Sequence, residues 1–182
     1  MKIGILVVVV LLALGGVFAR NEMVTQKNAI EASWAQVENV MQRRADLIPN
    51  LVEAVKGFTK QEQKVFGDIA QARAGLLNAR SPQDKMQANG VLDSAIGRLL
   101  MVTENYPELK SNENFKRLQD ELAGAENRVA TERQKYNKAI ETYNNTIQLF
   151  PKNIIANLFG FTRSQDYFRA DPAAKQVPKV SF

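Results

Sequence analysis

From residue 20 onward the apolar positions recur with the period of a helix. Ile30, Trp34, Val37 and Met41 follow at steps of four, three and four, and the stretch from Arg20 to Gln42 holds neither glycine nor proline. Val52, Val55, Phe66, Ile69 and Leu76 carry a stripe onward. Ser81-Pro82 with Asp84 reads as a helix start, the serine as cap and the proline at the first position. Val91, Leu92, Ala95, Ile96, Leu99 and Leu100 supply that helix with a buried face, and Pro107 is expected to end it. Asn112 is expected to cap the third long helix, over 112–150. Phe115, Leu118, Leu122, Ala125, Val129, Tyr136, Ile140, Tyr143, Ile147 and Phe150 share one of its faces. Within it Tyr136-Asn137 and Ile140 recur seven residues later as Tyr143-Asn144 and Ile147, a repeat that holds one seam against a partner helix. No stretch alternates with period two. The pattern predicts an all-α chain, an antiparallel up-and-down bundle of long helices.

The course of the chain at Pro49 decides how many helices there are. Asp46-Leu47-Ile48-Pro49-Asn50-Leu51 holds no glycine and is mostly apolar, which is poor turn chemistry. The stripe keeps phase across the proline through 41, 44, 48, 52 and 55. A kink at Pro49 is therefore preferred, in one bent helix over about 20–79. Residues 82–106 then fold back and 112–150 run outward again, leaving the basic tail far from the start of the bundle. The alternative is a hairpin at Pro49 with Asp46 as cap, which would return the C-terminus. On the segment after Pro49, Gly67, Ala70 and Ala74 lie three and four apart and suggest close approach of a neighbouring helix, with a poorly packed helix end as the alternative.

Before the bundle, Ile3 to Ala19 form 17 apolar or small residues without a charge, near the lower limit for a spanning helix. Ile3, Leu6, Val9, Leu12 and Phe18 would face lipid. A cleaved secretory signal is the competing reading, with Val17-Phe18-Ala19 as a small-residue cleavage motif and Gly15-Gly16 loosening the helix. The run exceeds the usual signal core, so a retained anchor over 1–19 is preferred, followed by a bundle over 20–168 and a disordered Pro-, Ala- and Lys-rich tail over 169–182. Lys2 favours an inside N-terminus, while Arg20, Lys27, Arg43 and Arg44 after the span pull the other way. A short charged start before an apolar run is the usual export pattern, so the domain is expected outside the cytoplasm.

Composition narrows the chemistry. The 182 residues contain neither cysteine nor histidine, which excludes disulfides, zinc–thiolate sites and every mechanism that needs imidazole. The net charge of +5 sits at the two ends, and residues 31–151 hold 16 basic and 16 acidic side chains. No clustered basic face is left for nucleic acid. Residues 153–161 form a short apolar segment after Pro151, expected to fold back onto the end of the bundle. The alternative is a membrane interface with Lys152 and Arg163 on its rim.

The run Arg43-Arg44-Ala45-Asp46-Leu47-Ile48-Pro49-Asn50-Leu51-Val52 resembles the signature of the LemA family of bacterial membrane-anchored helical proteins. So do Gly97-Arg98-Leu99-Leu100 and Glu104-Asn105-Tyr106-Pro107-Glu108-Leu109-Lys110. Asn114-Phe115, Leu118 to Leu122, Glu126-Asn127-Arg128, the two Tyr-Asn pairs, Phe150-Pro151 and Phe159-Gly160-Phe161 continue the resemblance, collinear from about residue 27 to 168. It implies a single N-terminal span and an up-and-down bundle, and brings no established activity.

Arg44 lies on the stripe between Met41 and Ile48, and a charge on a seam needs a partner. Asp46, Glu104 and Glu126 are the acids within the motif blocks. The structural reading is an Arg–carboxylate network of these with Arg43, Arg44, Arg98 and Arg128 that sets helix register. The functional alternative is an anion-binding or partner-docking cluster. Paired-carboxylate catalysis lacks a nucleophile or metal here. Trp34, Tyr136 and Tyr143 are expected in the core, and Asn137 and Asn144 off the seam in solvent.

The expectation is a non-enzymatic, membrane-tethered scaffold or adaptor of the bacterial cell envelope, without a cofactor. Its expected partners are the bilayer through 3–19, a protein the sequence does not name, and further copies of the chain. Neither nucleic acid nor a small-molecule substrate is expected. The alternative is an exported soluble binding module whose signal is removed.

Overall fold

A computed structural model describes residues 2–59 and 61–169. Helix α1 runs unbroken from Lys2 to Lys56, about 83 Å at 1.5 Å per residue. It is followed by α2 (Gln63–Asn78), α3 (Pro82–Thr103), the short α4 (Pro107–Ser111), α5 (Glu113–Gln148) and α6 (Lys152–Leu158). Among the described residues the fold is all-α.

Cross-helix pairs give the directions. Trp34 meets Tyr136 and Arg44 meets Glu126, so α5 runs antiparallel to α1, and Lys152 at the start of α6 meets Glu22. Lys56 lies over the Phe66 ring and Arg73 reaches Ala45, so α2 turns back beside α1. Glu38–Lys85 and Arg44–Asp93 place α3 parallel to α1. The result is an up-and-down bundle of four long elements, tied at its far tip where Tyr106 Oη donates to Thr59 Oγ1 at 2.9 Å. Residues 161–169 return as an extended strap along α5.

Pro49 sits inside α1 with no turn there, so the hairpin at that position does not form. The single helix to residue 79 does not form either. The chain reverses between the end of α1 at Lys56 and the start of α2 at Gln63, just beyond the stripe residue Val55. The C-terminal segment consequently lies beside the start of the bundle, not far from it. Proline at 49 denies the carbonyl of Ala45 its usual helical donor. Arg73 Nε of α2 donates to that oxygen at 2.8 Å instead, and Arg73 Nη2 lies 3.5 Å from Asp46. The proline thus leaves a vacant acceptor that docks the next helix.

Ser81 accepts from Asp84 N with Pro82 at the first position, and Asn112 accepts from Phe115 N, as the cap signatures predict. Pro107 opens α4 instead of closing α3, which stops at Thr103. One hydrophobic core runs from Ala19 and Met23 through Val37, Met41, Ile48, Val55, Ile69, Leu92, Leu99, Phe115, Val129 and Ile140. Val91 and Phe150 are exposed, outside the faces assigned to them. Gly67, Ala70 and Ala74 face solvent, and a Cβ on Gly67 would meet nothing within 4 Å, so no helix approaches them. The proposed disordered tail, apart from Arg169, lies outside the described residues.

In α1 the residues 2–15 are all exposed, and this is the one described helix long and apolar enough to cross a membrane. The same helix supplies Ala19 to Val55 to the core.

The Arg73–Ala45 bond can be tested against its cause. Arg73→Met should cost about 1–3 kcal/mol in urea unfolding with Pro49 in place, the penalty of an unpaired carbonyl. In a Pro49→Ala background, where residue 49 regains an N–H, the cost should fall to about half that or less. Equal costs in both backgrounds would show that the bond is unrelated to the proline.

Candidate functional site

Two polar constructions stand out against the apolar bundle. The first is centred on Arg44, whose side chain is 5% exposed. It points from the α1 seam to α3 and α5. Its Nη1 donates to Asp93 Oδ1 and, at 3.5 Å, to Asn89 Oδ1, while Glu126 Oε2 lies 2.9 Å away as an ion-pair contact. Asn89, fully buried, also donates to Asp93 Oδ2 at 2.9 Å. Two carboxylates, each about two-fifths exposed, therefore share one buried guanidinium. Burying a charge is tolerated when it is paired, and water at the acids' outer edges lowers the desolvation cost.

Of the residues singled out from the sequence, the structure brings only Arg44 and Glu126 together in this cluster. Arg43 and Arg128 are exposed. Asp46 pairs with Arg73 and accepts from Gln42, Arg98 lies 3.6 Å from Asp68, and Glu104 pairs with Lys110. A single network through all seven is therefore not formed. Asp93 and Asn89 complete the cluster and were not singled out. Their spacing of four, facing the same way as Leu92 and Ile96, was the available signal.

The second construction is the strap. Asn144 Nδ2 donates to Ser164 O and to Tyr167 Oη, and its Oδ1 accepts from Ser164 N. Asn137 repeats the arrangement one heptad earlier, accepting from Phe168 N and donating to Phe168 O, each at 2.9 Å. Each amide stands in for a neighbouring strand. The two asparagines are thus not solvated; Asn144 is 2% exposed. Tyr143 Oη donates to Thr162 O at 3.0 Å. Trp34, Tyr136 and Phe168 form a three-ring cluster with centroids 5.3–5.9 Å apart, and the Arg133 guanidinium lies 5.0 Å from the Phe168 centroid. Trp34 is half-buried at its edge.

Beneath the strap opens a cleft of about 380 Å³, lined by Lys27, Glu31, Trp34, Tyr136, Arg163 and Asp166 among others. Burial, and then the nearby Asp166 carboxylate, push Tyr136 from 10.0 up to about 12, and burial raises Tyr143. Neither change activates a nucleophile near neutral pH. Among the described residues no group of three or more acidic side chains converges to hold a metal.

The model of the LemA family matches residues 33–182. Magnetosome protein MamQ 2 of Paramagnetospirillum magneticum is 30% identical over 179 aligned positions, covering 84% of this chain and 65% of the relative. Magnetosome protein MamQ of Magnetospirillum gryphiswaldense is 27% identical with the same coverage. Protein LemA of Metamycoplasma hominis is 22% identical over 138 positions, covering 75% of this chain and 63% of the relative. The chain thus spans just under two thirds of the length of these relatives.

Replacing Arg44 with Met, similar in reach and uncharged, should change stability by no more than about 1 kcal/mol. Removing both acids in Asp93→Ala/Glu126→Ala should cost about 3–5 kcal/mol by stranding the buried charge. Unfolding curves unmoved in both variants would show Arg44 to be solvated. For the strap, Asn144→Ala should cost about 1–3 kcal/mol and speed amide exchange at Ser164, while the exposed Asn145→Ala should do neither.

Tyr136 ionises more readily unfolded than folded. Its contribution is complete below pH 10 and is lost as pH rises towards about 12. Stability of the native chain should fall across that window, and Tyr136→Phe should flatten the fall. An identical slope in both proteins would contradict the assignment.

Proposed function

Because the chain belongs to the LemA family and builds its helical domain on the same helix that carries an unburied apolar stretch, we propose that it is a non-enzymatic, single-pass scaffold or adaptor of the bacterial cell envelope. The observation that carries this reading is the continuity of α1. No linker separates the apolar residues from the core, so the bundle projects as a rigid post. From Arg20 to Lys56 that post is about 55 Å tall, which sets its far tip well clear of a bilayer. Such a part suits holding a partner protein or a second copy of the chain at a fixed height. The charged start before the apolar run favours a domain on the outer side.

The exported module with a removed signal is the weaker reading. Ala19 is buried in the core and Gly16 packs against Ile155. A cut after Ala19 would fall inside a packed helix and discard these contacts. The polar constructions fit an architectural role too, since Arg44 is held by Asp93 and Glu126 and the strap is clamped by the amides of Asn137 and Asn144.

Intact mass of the full chain recovered from cell membranes tests the reading. The mass of all 182 residues, resistant to alkaline extraction, is expected. A soluble product lacking residues 1–19 would favour the exported module instead. Photocrosslinking from Glu108 at the far tip should then capture a discrete partner or a second copy. A post that contacts nothing at its tip in intact cells would count against a scaffold.

A further inference from the structure

Helix α6 is held against the foot of the post. Lys152 Nζ donates to both Glu22 oxygens at 2.6–2.7 Å, and the Arg20 guanidinium lies 5.5 Å from the Phe159 centroid. Ile155 Cδ1 lies 3.5 Å from where a Cβ on Gly16 would stand, and Ala156 is buried. These contacts set α6 level with residues 16–22 of α1, where the unburied apolar run ends. The inner face of α6 is therefore spent on α1 and α5.

Its outer face is apolar and uncovered. Ile154 and Leu158, spaced by four, are 58% and 74% exposed, and Leu149 and Phe150 before the helix and Phe159 after it are exposed too. Phe18 of α1 is 73% exposed at the same level, between Gly16, which faces Ile155, and Arg20, which faces Phe159. Isolated exposed apolar residues are ordinary, whereas several gathered at one level mark a surface that is covered in use.

The length of the span indicates what covers it. Ile3 to Ala19 extend about 26 Å as a helix, short of the hydrocarbon thickness of about 30 Å. A short span is met by thinning the bilayer or drawing its flanks inward, which brings the level of residues 16–20 to the hydrocarbon boundary. Arg20 and Lys152 lie at or just above that level, where headgroup phosphates would meet them.

We infer that α6 is an interfacial helix, its Ile154–Leu158 face seated in the headgroup–acyl boundary beside the span. This rests on α1 being retained as an anchor and adds a second attachment that fixes the rotation of the bundle about the membrane normal. A span alone would let the bundle swivel about its axis. Two attachments on one side of the post do not.

The absence of cysteine makes the test direct. Full-length single-cysteine variants Val9→Cys, Leu158→Cys and Glu108→Cys carry an environment-sensitive fluorophore in phosphatidylethanolamine–phosphatidylglycerol vesicles. The lipids bear quenchers at shallow or deep positions. The label at 158 should emit to the blue of that at 108 and be quenched several-fold more strongly by the shallow quencher. The label at 9 should answer to the deep one. A label at 158 that stays in water while that at 9 is deep overturns the interfacial helix and leaves the anchor standing. Both labels in water overturn the anchor as well. A label at 158 shielded from water and from both quenchers means that protein covers the patch, and that result also overturns the inference.

Discussion

A guanidinium buried among three helices constrains this bundle more than any apolar contact. Apolar seams are permissive: a helix can slide by a turn against its neighbour and bury nearly the same area. Arg44 cannot slide, because only one register of α3 presents Asn89 and Asp93 to it while α5 presents Glu126. One residue further along, the proline-vacated carbonyl of Ala45 performs the same service for α2 through Arg73. Residues 44–49 of α1 therefore dictate where each of the other three long helices must stand.

With α1 carrying both the unburied apolar stretch and the core face, a register set at Arg44 is transmitted without a hinge to residues 2–15. The antiparallel course of α5 carries the chain back to the foot of the post. There α6 and the strap occupy the space below the loop joining α2 and α3, where Gln83 of that loop's helix bonds Asp166 of the strap. The strap completes the cross-section that two shorter helices leave open, and its clamps are the two asparagines of the heptad repeat.

The helical faces were legible because periodicity is local. The stripe through 37, 41, 44, 48, 52 and 55 is buried throughout, and both caps sit where Ser81 and Asn112 announce them. The reversal after Gly57 was hidden because the stripe resumes at Phe66 and Ile69 with plausible phase, and no proline marks the break. The place of Arg44 on a seam showed that it needs an acid. Which acid it meets depends on helix packing across 49 and 82 residues of chain, which no local pattern encodes. Asn137 and Asn144 read as solvated for the same reason: their partners are backbone groups of an aperiodic segment some 20 to 31 residues on.

Residues 44–49 form a latch between two layers, α1 with α5 and α2 with α3, and the layer held by that latch opens first. Native-state hydrogen exchange of the full chain in mild denaturant tests it most directly. Buried amides of α2 and α3, such as those of Ile69 and Leu92, should open together as one unit at lower free energy than those of Val37 and Ile140. If all four exchange through a single global opening with one free energy, the two layers do not open separately and residues 44–49 are not a latch between them.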